Sequence, residues 1–293
     1  MLDSAGNDLY RAYEDRVVMS GPGYYNRASG FEFNYGYASG GYDSAWLYDT
    51  AGNDLYRTYA DRAVMSGDGY YSRATDFDST FGYSTRGTDA AQMYDSAGDD
   101  HYRAYSSHVV MVGSGYYNHA QGFAATYGYA SDGADSAFLF DSLGDDIYRA
   151  YDDRVEMSGG GYFNRASGFE NTYGYATAGD DIAQMYDSLG DDSLIAYADR
   201  VVLSGADFSN RAFGFTTSFA YASTGRDVGF VHSSGDIDSL AGIDSGIRLL
   251  YANGHKIEVR AFDVVSAHLL QRGVDVVVNA AIDLVFDSVG VDA

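Results

Sequence analysis

Residues 95–105 read DSAGDDHYRAY, and the chain keeps returning to that string. DSAGNDLYRAY begins at Asp3, DTAGNDLYRTY at Asp49, DSLGDDIYRAY at Asp141 and DSLGDDSLIAY at Asp187, each start 46 residues after the one before. Five copies without an insertion or deletion mark a repeat architecture, in which a unit packs mainly on its neighbours and length alone does not count domains.

Superposed, the copies form columns. Tyr10 and Ala12, then Val17 and Met19, recur as small or apolar residues two apart, while position 9 changes freely through Leu9, Leu55, His101, Ile147 and Ser193. Period two with one variable face is a strand pattern. Gly21, Gly67, Gly113, Gly159 and Gly205 close this stretch and are expected at turns with positive φ. The second half of each copy gives further short alternations, Ala28 and Phe31, Tyr35 and Tyr37, Ala45 and Leu47, broken at Gly30, Gly36 and Gly41. No helical spacing interrupts them.

A fainter echo at half the period, Tyr25-Asn26-Arg27-Ala28 over Tyr48-Asp49-Thr50-Ala51, reads as coils of 23 residues. The expected fold is all-β, a parallel β-solenoid (β-helix) of tandem 46-residue repeats, with a β-propeller of four-stranded blades as the alternative. Stacked coils keep a strict length, whereas blade loops vary. In such a stack equal positions of successive copies would meet, making ladders of Tyr10, Tyr13, Phe31, Tyr35 and Tyr37 with their own equivalents. Residues 1–232 hold the five repeats. Residues 233–293 read as a degenerate sixth repeat and C-terminal cap, with SSGDIDSL after His232 in the place of the turn motif. Phe262, Gly273 and Asp275 fall on the Phe31, Gly41 and Asp43 columns, LVFDSVG over residues 284–290 resembles LYDTAG, and the apolar runs leave room for a helix.

Composition narrows the function classes. Apolar residues make up 46% and Tyr alone accounts for 29 residues, enough for a continuous core. A net charge of −24, with Lys256 the single lysine, disfavours nucleic acid, because a polyanion is bound by a basic face that releases counterions. With no cysteine there is neither a disulfide nor a thiolate ligand or nucleophile. No apolar run approaches the roughly 20 residues that span a bilayer, and no basic segment with an apolar stretch opens the chain. Met1 and Leu2 lead straight into a complete repeat, which reads as a start inside a longer array whose export signal or anchor lies elsewhere.

Each turn carries G-[ND]-D: Gly6-Asn7-Asp8, Gly52-Asn53-Asp54, Gly98-Asp99-Asp100, Gly144-Asp145-Asp146 and Gly190-Asp191-Asp192. It resembles half of the glycine-aspartate nonapeptide of RTX, haemolysin-type repeats over about six residues per copy. That resemblance implies calcium as the cofactor and Asp8, Asp54, Asp99, Asp100, Asp145, Asp146, Asp191 and Asp192 as its ligands. The RTX motif recurs every nine residues and this one every 46, so the other half of the copy, Asn26 or Asp43 and their equivalents, must supply the remaining donors. The competing reading is an Asx turn, in which each Asp accepts from its own backbone and no metal is needed. The whole unit, LYDSAGND…YNRA…GF…YA…GG.D, resembles the Tyr- and Asp-rich tandem repeats of very large exported bacterial surface proteins, over residues 3–232 and more loosely beyond. That resemblance implies an extracellular or cell-surface location and neighbouring repeats of the same parent chain as partners.

Arg11, Arg57, Arg103 and Arg149, and the pairs Asp15-Arg16, Asp61-Arg62, Asp153-Arg154 and Asp199-Arg200, are expected to stack on tyrosines and neutralise aspartates. In copy three His108 and His119 replace the Arg16 and Arg27 columns together, which points to spatial neighbours, and His101 stands nearby; a transition-metal site competes with neutral drift. Acidic, basic and hydroxyl residues recur in nearly every copy, whereas an active site is singular, and no Ser-His-Asp or His-Glu-x-x-His arrangement occurs. The chain therefore reads as a non-enzymatic structural or adhesive module stiffened by calcium. A glycan-binding solenoid is the alternative, cell-surface glycans being its partner, and a polysaccharide lyase or hydrolase is a weaker third.

Overall fold

Period-two alternation becomes strands in the computed structural model, which describes residues 1–232, 237–268, 275–277 and 283–287. Every regular element among the described residues is a β-strand, and the fold is a β-solenoid of parallel-paired coils, not a barrel or a propeller. Gly273 and Gly290 lie outside the described residues.

The chain divides into two compact units, Met1–Phe138 with Gly161–Phe169, and Leu139–Gly160 with Glu170–Ala293. In the first unit, copy one supplies β1 (Leu9–Ala12), β2 (Arg16–Gly21), β3 (Tyr24–Ser29), β4 (Phe33–Tyr37) and β5 (Ser44–Tyr48), and copy two β6 (Leu55–Thr58), β7 (Arg62–Gly67), β8 (Tyr70–Thr75), β9 (Ser79–Tyr83) and β10 (Ala90–Tyr94). β1, β2 and β3 form an antiparallel meander, with Tyr10 opposite Met19 and Met19 opposite Asn26. β5 then pairs in parallel with β1, Leu9 opposite Ser44, and with β9, Ser44 opposite Ser79. One sheet runs β3-β2-β1-β5-β9 and the other β10-β6-β7-β8-β4.

Successive copies therefore put their meanders in opposite sheets. Each copy gives four strands to one sheet and one to the other, so two sheets of equal height require the assignment to alternate. This corrects the expectation of self-stacking columns: β1 and β6 belong to different sheets, and Tyr10 faces Ala45, not Tyr56. Parallel neighbours are 35 residues apart (Leu9 and Ser44) or 38 (Phe33 and Tyr71), so the echo at 23 is not the coil length. The second unit keeps meanders and parallel pairing, but its last coils pair at other offsets, Val228 with Val264, Thr217 with Lys256 and Val264 with Asp283. Ser193–Ala196, Arg200–Ser204 and Ser209–Phe213 form a meander, as do Ile237–Ile243, Gly246–Tyr251 and Lys256–Arg260, and Ser193 lies opposite Val228 in parallel. Segments expected to leave room for a helix give strands wherever they are described.

Aromatic ladders exist, but they join different columns. Tyr13, Tyr48 and Tyr83 stack with centroids 4.6 and 5.1 Å apart, and Tyr59, Tyr94 and Tyr129 at 4.8 and 4.9 Å. In the second unit Tyr151, Tyr186 and Tyr221 repeat this at 4.9 and 5.1 Å. Each such pair adds ~0.5–1.5 kcal/mol beyond its burial. Guanidinium groups top the rows, Arg62 at 3.8 Å over Tyr59 and Arg154 at 4.0 Å over Tyr151.

Inside, Tyr10, Tyr56, Tyr102 and Tyr148 are fully buried. Each lies on a glycine, Gly36, Gly82, Gly128 and Gly174, where a Cβ would come within 3 Å of the ring. These are mid-strand glycines chosen for close approach, not corners. In copy five the Tyr becomes Leu194 and the glycine becomes Ala220. The hydroxyls of Tyr56, Tyr102 and Tyr148 are satisfied in sequence, whereas that of Tyr10 has no hydrogen-bond partner among the described residues. Asn118 Nδ2 donates to the Tyr59 carbonyl, Thr80 Oγ1 donates to Asn118 Oδ1 at 2.6 Å, and the Tyr56 hydroxyl, 2.8 Å from Thr80, must donate to it. Tyr102, Thr126 and Asn164 repeat the chain, as do Tyr148, Thr172 and Asn210.

Candidate cation-binding turns

Three aspartate columns converge at the repeating turn. Asp3, Asp8 and Asp43 bring one oxygen each to within 4.8 Å of the others, and the same holds for Asp95, Asp100 and Asp135, for Asp141, Asp146 and Asp181, and for Asp187, Asp192 and Asp227. Backbone N–H groups fix each carboxylate. Asp8 Oδ2 accepts from Ser4 N and Oγ at 2.9 Å, closing the turn, while Asp43 Oδ1 accepts from Asp8 N at 2.7 Å across the coil boundary. Asp3 Oδ2 accepts from Ser39 N at 2.6 Å. The later copies reproduce these contacts, as in Asp146 with Ser142 and Asp181 with Asp146 N.

Glycine at position 21 belongs to this arrangement. It has no positive φ; instead a Cβ there would fall on the Asp8 carboxylate, and the same is true of Gly67 with Asp54 and Gly113 with Asp100. Positive φ is found two residues on, at Gly23. A tyrosine hydroxyl also reaches the cluster, Tyr116 donating to Asp100 Oδ1 at 2.7 Å. In copy five Phe208 occupies that column; among the described residues the buried Oδ1 atoms of Asp192, Asp8 and Asp54 have no hydrogen-bond partner.

Of the residues expected as ligands, Asp8, Asp100, Asp146 and Asp192 stand in these groups. Asp54 has the same local contacts, with Thr50 at 2.9 and 2.8 Å, but Ser84 Oγ donates to Asp89 Oδ2 at 2.7 Å. The corresponding positions in the other copies are Ala38, Ala130, Ala176 and Ala222, so this hydroxyl is particular to copy two. Asp99, Asp145 and Asp191 lie outside the groups: their Oδ1 atoms accept from the backbone N–H of Ala134, Asp180 and Arg226 at 2.8–2.9 Å. Asn7 and Asn53 do the same for Tyr42 and Thr88, which is why Asn and Asp exchange in this column. Of the two proposed completing sets, the Asp43 column joins the cluster and the Asn26 column does not, since Asn118, Asn164 and Asn210 are buried in the tyrosine network. The Asp3 column was missed as a ligand, although Asp recurs there in all five copies.

Three carboxylates this close cannot all keep full charge at no cost. Burial first, then Asp141, Asp146 and Asp145, raises the Asp181 carboxyl from 3.8 to about 6, against the N–H it accepts from Asp146. Asp43 and Asp227 are raised in the same sense, burial leading in both. A shared proton or a hard cation relieves the repulsion, and a donor set of carboxylate oxygens suits calcium, which takes about six to eight oxygens.

The copy-three histidines separate. His108 and His119 are neighbours with ring centroids 5.5 Å apart, and His108 stacks on Tyr105 at 4.5 Å as arginines do in the other copies. His101 sits at the far end of the hairpin, opposite Val112. Burial lowers the basicity of both paired rings, and each neighbour's charge disfavours the other in the case of His119. Comparison with protein-family models, curated proteins and solved structures finds no match to this chain.

Proposed function

We propose that this chain is a structural repeat module of a large extracellular surface or matrix protein, non-enzymatic, whose turns are locked by calcium. The observation that carries the reading is repetition of one aspartate trio at the same turn in four of five copies, each joining positions 35 residues apart across a coil boundary. A cation held there would tie one coil to the next, and the buried, unpartnered Asp192 Oδ1 supports the need for a positive ligand. Within each unit, parallel strand pairing and aromatic stacking join neighbouring coils, and this supports a spacer role.

A ligand bound only by the folded state raises its melting temperature. Melting of the chain in EDTA and then in calcium is expected to show a calcium-specific rise that magnesium does not match. Ser84→Ala is expected to add one calcium equivalent by calorimetry, since it frees the Asp89 Oδ2 that the Ser84 hydroxyl engages in copy two alone. Identical melting in EDTA and calcium at neutral pH would leave the Asx-turn reading in its place.

A further inference from the structure

The chain's charges are sorted by place. In the first unit the outward positions of the sheet containing β1, β5 and β9 carry Arg11, Arg16, Arg27, Arg103, His101, His108 and His119 and no aspartate or glutamate, in a chain of net charge −24. In this unit the aspartates are confined to turns and corners. One row crosses the face from strand to strand in register: Arg11, Trp46, Phe81, His119, Val110, Arg103. Six strands at about 4.8 Å make it about 24 Å long, with a guanidinium at each end. Arg11 lies 5.5 Å over the Trp46 ring and Arg103 5.6 Å over Phe138. Neither makes a salt bridge among the described residues. Tyr48, Tyr83 and Tyr117 flank the row, and the rings are half-buried, each with part of its surface open to solvent.

We propose that this face binds an acidic polysaccharide, a chain of pyranose rings bearing carboxylates such as polyuronate, with sugar rings over Trp46, Phe81 and Tyr117 and carboxylates at Arg11 and Arg103. The ligand must be flat and extended, because the surface is an open sheet and not a cleft. It must present apolar ring faces to aromatic side chains together with hydroxyls, since the outward positions mix rings with Ser44, Ser136 and Gln121. It must be anionic, because a bidentate guanidinium selects carboxylates and the face offers no acid. Nucleic acid meets the first two conditions less well. Like polyuronate it is charged at every residue, but stacked bases offer few hydroxyls to Ser44, Ser136 and Gln121, whereas every pyranose ring carries them. The opposite sheet's face in this unit is also free of acid, but its centre holds Leu55, Ala90 and Gln92, with Arg57 donating to Gln92 at 2.9 Å, and so lacks the ring row.

Trp46 is the chain's only tryptophan, so its emission reports the centre of the face. The full chain, in EDTA to keep calcium from bridging polymer and protein, is titrated with oligogalacturonate, a neutral β-glucan oligomer and oligothymidylate. A saturable change in Trp46 emission with oligogalacturonate is expected, with affinity lowered about tenfold in Arg11→Gln and in Arg103→Gln and unchanged in Arg57→Gln. Variants are matched to the parent chain by circular dichroism and melting before titration, and Trp46→Phe, read by calorimetry, checks that the ring itself contributes. Equal affinity for the neutral glucan, tighter binding of oligothymidylate, an equal loss in Arg57→Gln, or no binding of oligogalacturonate would each overturn the assignment.

Discussion

Tyr102 and Gly128 show how two residues of one copy are chosen for each other. The ring lies where a Cβ would stand, at 2.9 Å, so Gly128→Ala forces the ring or the strand aside, at a cost of about 1–3 kcal/mol. Copy five carries the matched exchange, Leu194 with Ala220. In a double-mutant cycle read by urea unfolding, Gly128→Ala is therefore expected to cost less in a Tyr102→Leu background than alone. Additive costs would mean that the pair does not compete for one space. The glycine was visible in the sequence as a recurring column, but its reason was not, because the tyrosine it serves lies 26 residues earlier on a facing strand. Gly21 teaches the same lesson: a turn glycine and a glycine that clears a carboxylate look alike until the aspartate is placed beside it.

At the level of elements, strand positions were legible because alternation is local: Ala45 and Leu47 point inward, Ser44, Trp46 and Tyr48 outward. Pairing was not legible, because 46-residue recurrence says which segments are alike and not which are adjacent. The contact offsets of 35 and 38 arise from the meander, which no column comparison contains. The buried Tyr-Thr-Asn chain is the part of that pairing with the most polar atoms at stake. Thr126→Val leaves the Tyr102 hydroxyl and Asn164 Oδ1 without their shared partner, and a loss of ~1–3 kcal/mol is expected on denaturation. Thr126→Ser keeps the hydroxyl and is expected to lose much less, as Ser218 stands in that column in copy five. Equal losses for the two would show that packing of the methyl, and not the hydrogen-bond chain, holds these strands.

For the whole molecule the dominant fact is an excess of carboxylates gathered at turns. Asp181, raised to about 6 from 3.8, binds its proton more tightly when folded. Its contribution is thus fully present below pH 3.8 and is lost as pH rises through about 6. Asp43, Asp95, Asp187 and Asp227 shift in the same direction, while Asp8 is lowered, its burial outweighed by the bonds from Ser4 and by the nearby Tyr24 hydroxyl. Without cation, the melting temperature is expected to fall as pH is raised through that window, and calcium is expected to recover it above the window, where the carboxylates are ionised. A melting temperature that climbs across the same range in EDTA would mean that the clusters are stabilised by their charged form. The acidic composition made a cation the expected small ligand, whereas the grouping of Asp3 with Asp8 and Asp43 depends on which coil lies next.

That adjacency is the central claim, and the absence of native cysteine makes it directly measurable. Leu9→Cys with Ser44→Cys places two thiols on neighbouring parallel strands, at a Cα separation of about 4.8 Å that a disulfide spans. Leu9→Cys with Leu55→Cys places them at the same position of successive copies. Mild oxidation followed by peptide mass spectrometry is expected to give the 9–44 cross-link and not the 9–55 one. A 9–55 cross-link without the 9–44 product would contradict the alternating sheets and restore copies stacked on their own kind.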